Sequence, residues 1–102
     1  MRVEILYFDG CPNHGAARAL VERVSEELGV RPEIRMIEVP DVETAGRQRF
    51  LGSPTVRVDG RDIEPGADDR EGFTLACRVY KLESGYSGQP DESWLRGALS
   101  RV

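Results

Sequence analysis

Val3-Glu4-Ile5-Leu6-Tyr7-Phe8-Asp9-Gly10-Cys11-Pro12-Asn13-His14 is the stretch on which the fold depends. Val3 to Phe8 is an apolar run interrupted only by Glu4, and Asp9-Gly10 ends it with a turn signal, so it reads as a buried strand. From Cys11 the period changes. Ala17, Leu20, Val21, Val24 and Leu28 recur at helical spacing, and Gly29 stands where a helix closes in the left-handed conformation. Pro12 suits a first helical position, where its missing N–H costs nothing, which puts Cys11 at or beside the N-cap. A strand feeding a helix through a thiol-bearing turn is the start of an α/β unit.

The pattern continues through the chain. Glu33 to Val39 alternates Ile34, Met36 or Ile37, and Val39 with charged residues and reads as a second strand. Pro40-Asp41 opens a short helix to about Arg49 with Asp41 as N-cap, and Phe50-Leu51 returns the chain to the core. Gly52-Ser53-Pro54 breaks regular structure before the strand Thr55 to Val58. Asp59-Gly60 then signals a two-residue hairpin into Arg61-Asp62-Ile63. Residues 64–72 are acidic and turn-rich and read as an exposed loop. Phe73 to Leu82 fits a strand through Leu75, Cys77 and Val79, or a helix face through Phe73, Ala76, Cys77 and Tyr80; the strand is favoured. Pro90-Asp91 starts a last helix with Trp94, Leu95, Ala98, Leu99 and Val102 on one face. The first βαβ unit crosses over right-handed and makes two strands parallel, and the hairpin adds an antiparallel pair. The fold class is α/β, one domain over residues 1–102, with a mixed four- to five-stranded sheet flanked by helices.

Composition narrows the function classes. The chain has 102 residues, 14 Lys plus Arg against 18 Asp plus Glu, and a net charge of −4. A nucleic-acid binder needs a basic face to displace phosphate counterions, and a membrane-surface protein a polybasic patch; Lys81 is the sole lysine. The N-terminal apolar run is too short for a signal peptide or a membrane helix of roughly 20 residues, so the expected compartment is the cytoplasm, where thiols stay reduced. The preference for Arg over Lys with abundant Gly, Ala and Val points to a GC-rich bacterial coding sequence. Two cysteines and one histidine are left as the scarce reactive groups.

Cys11 and His14 belong together. A thiol at a helix start faces unpaired N–H groups and the positive end of the macrodipole, both of which favour thiolate. His14, three residues on, can lie over the same turn and either add charge or relay a proton. The bland alternative is a small residue at a helix start beside a surface histidine. Gly52-Ser53-Pro54-Thr55 adds a proline heading a short strand, which suits either a cis turn or an ordinary trans one.

With strand Val3–Phe8, Cys11–His14 on the first helix, Ser53-Pro54-Thr55, the hairpin at Asp59-Gly60 and the closing helix in this order, the chain resembles the thioredoxin-like superfamily over almost its whole length. More narrowly it is similar to small bacterial members with a Cys-Pro-x-Cys type motif, a Gly-Ser-Pro-Thr loop and a later Cys-Arg-x-Tyr, some of which carry an alkylmercury-lyase-like label. The resemblance implies Cys11 as the attacking thiolate, Pro54 as the cis-proline opposite it, and Pro12, Ser53, Pro54 and Thr55 as the substrate-binding rim, with the Ser53 backbone pairing an extended substrate segment. His14 departs from that pattern, standing where a dithiol enzyme has its second cysteine. A mixed disulfide on Cys11 then has no adjacent thiol to resolve it, leaving Cys77 or an external thiol such as glutathione.

Cys77 has two readings: a core thiol flanked by Leu75 and Val79, or a partner that approaches Cys11. Three functions follow. The first is a monothiol-type (Cys-x-x-His) redox protein acting on protein or small-molecule thiols and disulfides. The second is a soft-metal or organomercurial binder through the two thiols; with His14 they supply three ligands, short of the four of a closed zinc site, so neither a resident metal nor any other cofactor is expected. The third is a non-catalytic domain that binds a partner along the Pro54 edge. The Asp68-Asp69-Glu71 loop lacks calcium-loop spacing, Tyr7, Phe50 and Trp94 read as core, and nothing in the spacing requires a site role for Arg78 or Tyr80. Oligomeric state is not legible. The sulfur separation of Cys11 and Cys77 decides which reading of Cys77 holds.

Overall fold

Central strand β1 (Arg2–Tyr7) pairs in parallel with β2 (Glu33–Glu38) on one side and antiparallel with β3 (Thr55–Val58) on the other. A short β4 (Arg61–Asp62) completes a four-stranded mixed sheet in the order β2-β1-β3-β4. The structure is a computed structural model describing residues 1–100. Helix α1 (His14–Leu28) makes the crossover from β1 to β2, α2 (Val42–Arg47) links β2 to β3, and α3 (Glu92–Leu99) closes the chain. This is the mixed α/β domain the sequence pattern predicts. Among the described residues no helix is long and apolar enough to cross a membrane.

Alternation along the central strand sorts the core into two layers. Val3 and Ile5 meet Val56, Val58, Ala17, Val21, Val24, Leu95 and Leu99 beneath α1 and α3. Leu6 faces the other way, against Val39, Ala45 and Phe50. Exposed ion pairs link α1 to α3 outside that core: Arg23 with Glu27 and Glu92, and Arg96 with Glu92 and Glu27.

Local signals act where the residue types demand. Asp41 and Asp91 cap α2 and α3 by accepting from the Thr44 and Ser93 N–H groups, each at 2.7 Å. Asp59 and Gly60 both take positive φ, 50° and 86°, as the tight hairpin requires. Gly29, at φ 69°, ends α1.

Four elements differ from the sequence pattern. First, α1 begins at His14, with Asn13 as the cap residue whose carbonyl accepts the first helical bond from Ala17 at 3.2 Å. The preceding turn is spent earlier, where the Cys11 N–H donates to Phe8 O at 3.1 Å, so Pro12 lies outside the helix and Cys11 one residue further. Second, α2 stops at Arg47, because Arg49 takes a left-handed φ of 53°. Third, of residues 73–82 only β5 (Tyr80–Leu82) is strand, and it pairs with β6 (Gly85–Ser87) as a separate hairpin instead of joining the main sheet. Fourth, the 64–72 loop is not wholly solvated: it contains a 3-10 turn at Ala67–Asp69 with Ala67 buried. Val102, expected on the last helix, lies outside the described residues.

Candidate thiol site

Cys11 lies between the end of β1 and the start of α1 and is fully buried. Its Sγ is 3.4 Å from the Ser53 carbonyl oxygen, to which the thiol donates. Cys77, exposed, stands over it, with a sulfur–sulfur distance of 2.8 Å and its S–H directed at Cys11. The cysteines are 66 positions apart in sequence. Of the two readings of Cys77, the structure has the approach to Cys11 and not the core thiol; its neighbour Val79 is 63 % exposed.

The backbone explains how Cys77 is held there. The Ser53–Pro54 peptide bond is cis. Thr74 N–H donates to Phe50 O at 3.0 Å, Ser53 N–H to Ala76 O at 2.8 Å, and Arg78 N–H to Ser53 O at 2.8 Å. Residues 74–78 thus run parallel to 50–53, with Cys77 bridged to Ser53. Both backbone groups of Ser53 are taken by the chain itself, at the edge where the resemblance places a substrate segment. Gly52 makes the approach possible: at φ 125°, a Cβ there would lie 2.9 Å from Arg78 Cα.

Behind this bridge, a buried polar cluster fixes the segment. The Arg78 guanidinium donates to Thr55 Oγ1 at 3.1 Å, to Asp62 at 2.7 and 3.2 Å, and to Glu64 at 2.7 Å. It also lies 4.4 Å from the Tyr80 ring centroid. Tyr80 O–H donates to Pro54 O at 2.5 Å, and Thr55 O–H to Gly52 O at 2.7 Å. Burial holds the Tyr80 phenol well above its usual range, the Arg78 charge opposing, so the hydroxyl stays a donor. Arg78 and Tyr80 therefore grip the cis-proline loop from inside while Cys77 and Val79 face outward.

His14 lies over the Cys11 turn, with its ring directed to the backbone. Its Nδ1–H donates to the Cys11 carbonyl at 2.9 Å, and its ring stacks on Tyr7 with centroids 4.4 Å apart. The ring is anchored to the Cys11 backbone, with no hydrogen bond to either sulfur. Among the described residues, no group of three or more His, Cys, Asp or Glu side chains converges as a metal site. Pro12 is exposed, whereas Ser53, Pro54 and Thr55 are buried. Ser53 Oγ is buried without a partner, so the useful groups of this residue are in its backbone.

The contact between the sulfurs acts on the Cys77 thiol. The Cys77 thiol is pushed above its ordinary value of 9.0 by the hydrogen bond it donates to Cys11, by partial desolvation and by negative charge on Cys11. Sequence reasoning gave Arg78 and Tyr80 no required role here and missed Asp62, Glu64 and the close contact at Gly52. The available signal was the i, i+2 spacing of Arg78 and Tyr80, opposite in phase to Cys77. No family model, curated protein or solved structure matches this chain.

Proposed function

We propose that the protein is a thiol–disulfide redox protein of thioredoxin-like type, with Cys11 and Cys77 as its reversible pair. The supporting observation is the 2.8 Å sulfur–sulfur distance between residues 66 positions apart. That spacing is about 0.8 Å from a disulfide bond of about 2.05 Å. Two thiolates bridged linearly by a soft metal ion stand about 4.6 Å apart, twice a metal–sulfur distance of about 2.3 Å, so the geometry favours electron transfer over metal capture. The partner-binding reading loses support for a separate reason: the Ser53 edge is already paired with residues 76–78. Cys77 supplies the second thiol that the Cys-Pro-Asn-His motif lacks. The proposed setting is the reducing cytoplasm, where the pair would be regenerated by external thiols.

The test is equilibration of the reduced protein in buffers of oxidised and reduced glutathione, followed by acid quench and mass spectrometry. The expected product is an intramolecular disulfide that removes two hydrogens and protects both cysteines from alkylation. Persistence of two alkylatable thiols across the whole glutathione range would reject the proposal.

A further inference from the structure

We infer that Cys77, not Cys11, is the sulfur that meets the substrate, and that the substrate is a low-molecular-weight disulfide, not an extended polypeptide. This rests on the redox reading of the pair and assigns its order of events. Two observations carry it. Cys11 is fully buried and Cys77 exposed, so an incoming disulfide reaches Cys77 first. In addition, the Ser53 N–H and C=O, the groups an extended substrate would pair with, are both bonded to the chain's own residues 76 and 78. A peptide would have to displace a segment held from behind by the Arg78 cluster. A small disulfide needs only the open side of Cys77.

The chemistry balances without any further reagent. With one thiol of the pair ionised, Cys77 Sγ attacks a small disulfide R–S–S–R, and its proton passes along the 2.8 Å hydrogen bond to Cys11 Sγ. The R–S bond to Cys77 forms as the S–S bond of the substrate breaks, and R–S⁻ leaves. That thiolate takes the proton from Cys11. Cys11 Sγ then attacks Cys77 Sγ, forming the Cys11–Cys77 disulfide and expelling the second R–S⁻. The pair has lost two electrons, and R–S–S–R has gained them. Reduction runs the same path backwards, an external thiolate attacking Cys77 and Cys11 leaving into its buried position.

The experiment uses oxidised glutathione and 5,5′-dithiobis(2-nitrobenzoate) as probes on the full chain and on Cys11→Ser and Cys77→Ser. Cys77 in Cys11→Ser is expected to form the mixed disulfide about tenfold or more faster than Cys11 in Cys77→Ser, since access gates the reaction. In the unsubstituted protein, rapid acid quench under limiting oxidised glutathione should place the transient adduct on Cys77. An adduct on Cys11 in that sample would overturn the assignment even if Cys77→Ser loosens the segment around residue 77. A disulfide-bearing extended peptide should react at least about tenfold more slowly than oxidised glutathione, and equal rates would overturn the substrate class. Failure of the redox reading is a separate result, namely no intramolecular disulfide with any probe.

Discussion

Replacing Arg78 by methionine removes the charge that holds the Cys77 segment while keeping much of the side-chain volume. Arg78 and Asp62 have side-chain exposures of 1 % and 3 %, and Glu64 of 16 %. After the substitution Asp62 keeps the Glu64 backbone N–H at 2.9 Å but loses both guanidinium bonds. An ionised carboxylate left without its partner at that depth destabilises by about 3–5 kcal/mol. Against a total of about 5–15 kcal/mol for a small domain, this is a large share. For a domain of this length it lowers the melting temperature by roughly 15–30 °C. Thermal unfolding followed by far-UV circular dichroism reads the loss, and a second variant supplies the scale. Arg70→Met breaks the pair with Glu64 from a side chain that is 47 % exposed, and should cost under about 1 kcal/mol. Equal and small losses in the two variants would refute the claim that the buried cluster anchors the Cys77 segment. A melting temperature that falls with no weakening of Cys11–Cys77 disulfide formation would show that backbone pairing to Ser53 suffices to place Cys77.

Other substitutions separate the contributions to the site. Gly52→Ala forces a Cβ to within 2.9 Å of Arg78 Cα at a φ of 125°; it should destabilise by about 1–3 kcal/mol and slow intramolecular disulfide formation, as measured by denaturant unfolding and quenched oxidation. Ser53→Ala removes a buried hydroxyl without a partner and leaves both backbone bonds; stability unchanged or raised by up to about 1 kcal/mol, with oxidation intact, would agree with a backbone-only role. Tyr80→Phe leaves Pro54 O without its buried donor, and urea unfolding should register a loss of about 1–3 kcal/mol. In Cys11→Ser no sulfur acceptor and no negative charge remain to raise the Cys77 thiol, so its thiolate forms at lower pH and its alkylation profile should move acidward from that of the reduced protein. An unmoved profile would contradict the coupling of the two sulfurs.

Much of the scaffold was legible because its signals are local. Asp41, Asp91, Gly29 and Asp59-Gly60 each act within a few residues, and apolar alternation in Val3 to Phe8 marks a strand wherever it packs. The segment around Cys77 was legible in period but not in phase. Leu75, Cys77 and Val79 read as the inner face by hydropathy, yet Arg78 and Tyr80 are the buried pair. An arginine can take the inner face only because Asp62 and Glu64, from a hairpin strand and a loop that read as separate pieces, converge on it. The motif Cys11–His14 was visible as a thiol turn, but its spacing could not reveal that the His14 ring turns to Tyr7 and the Cys11 carbonyl. The meeting of Cys11 with Cys77 depends on a parallel bridge between two irregular segments, and no periodicity encodes such a contact.

The sequence distance between the two sulfurs has a consequence for folding. A bond between Cys11 and Cys77 would close a loop of about two-thirds of the chain, which in the chain-entropy view destabilises the unfolded ensemble by about 4 kcal/mol. The linkage is reciprocal: whatever oxidation adds to the fold, the fold adds to the tendency of the pair to oxidise. In an unfolded chain the same two residues are distant, independent thiols with no preference for one another. The pair is thus a property of the finished tertiary structure, and its redox poise would report whether this small domain is folded.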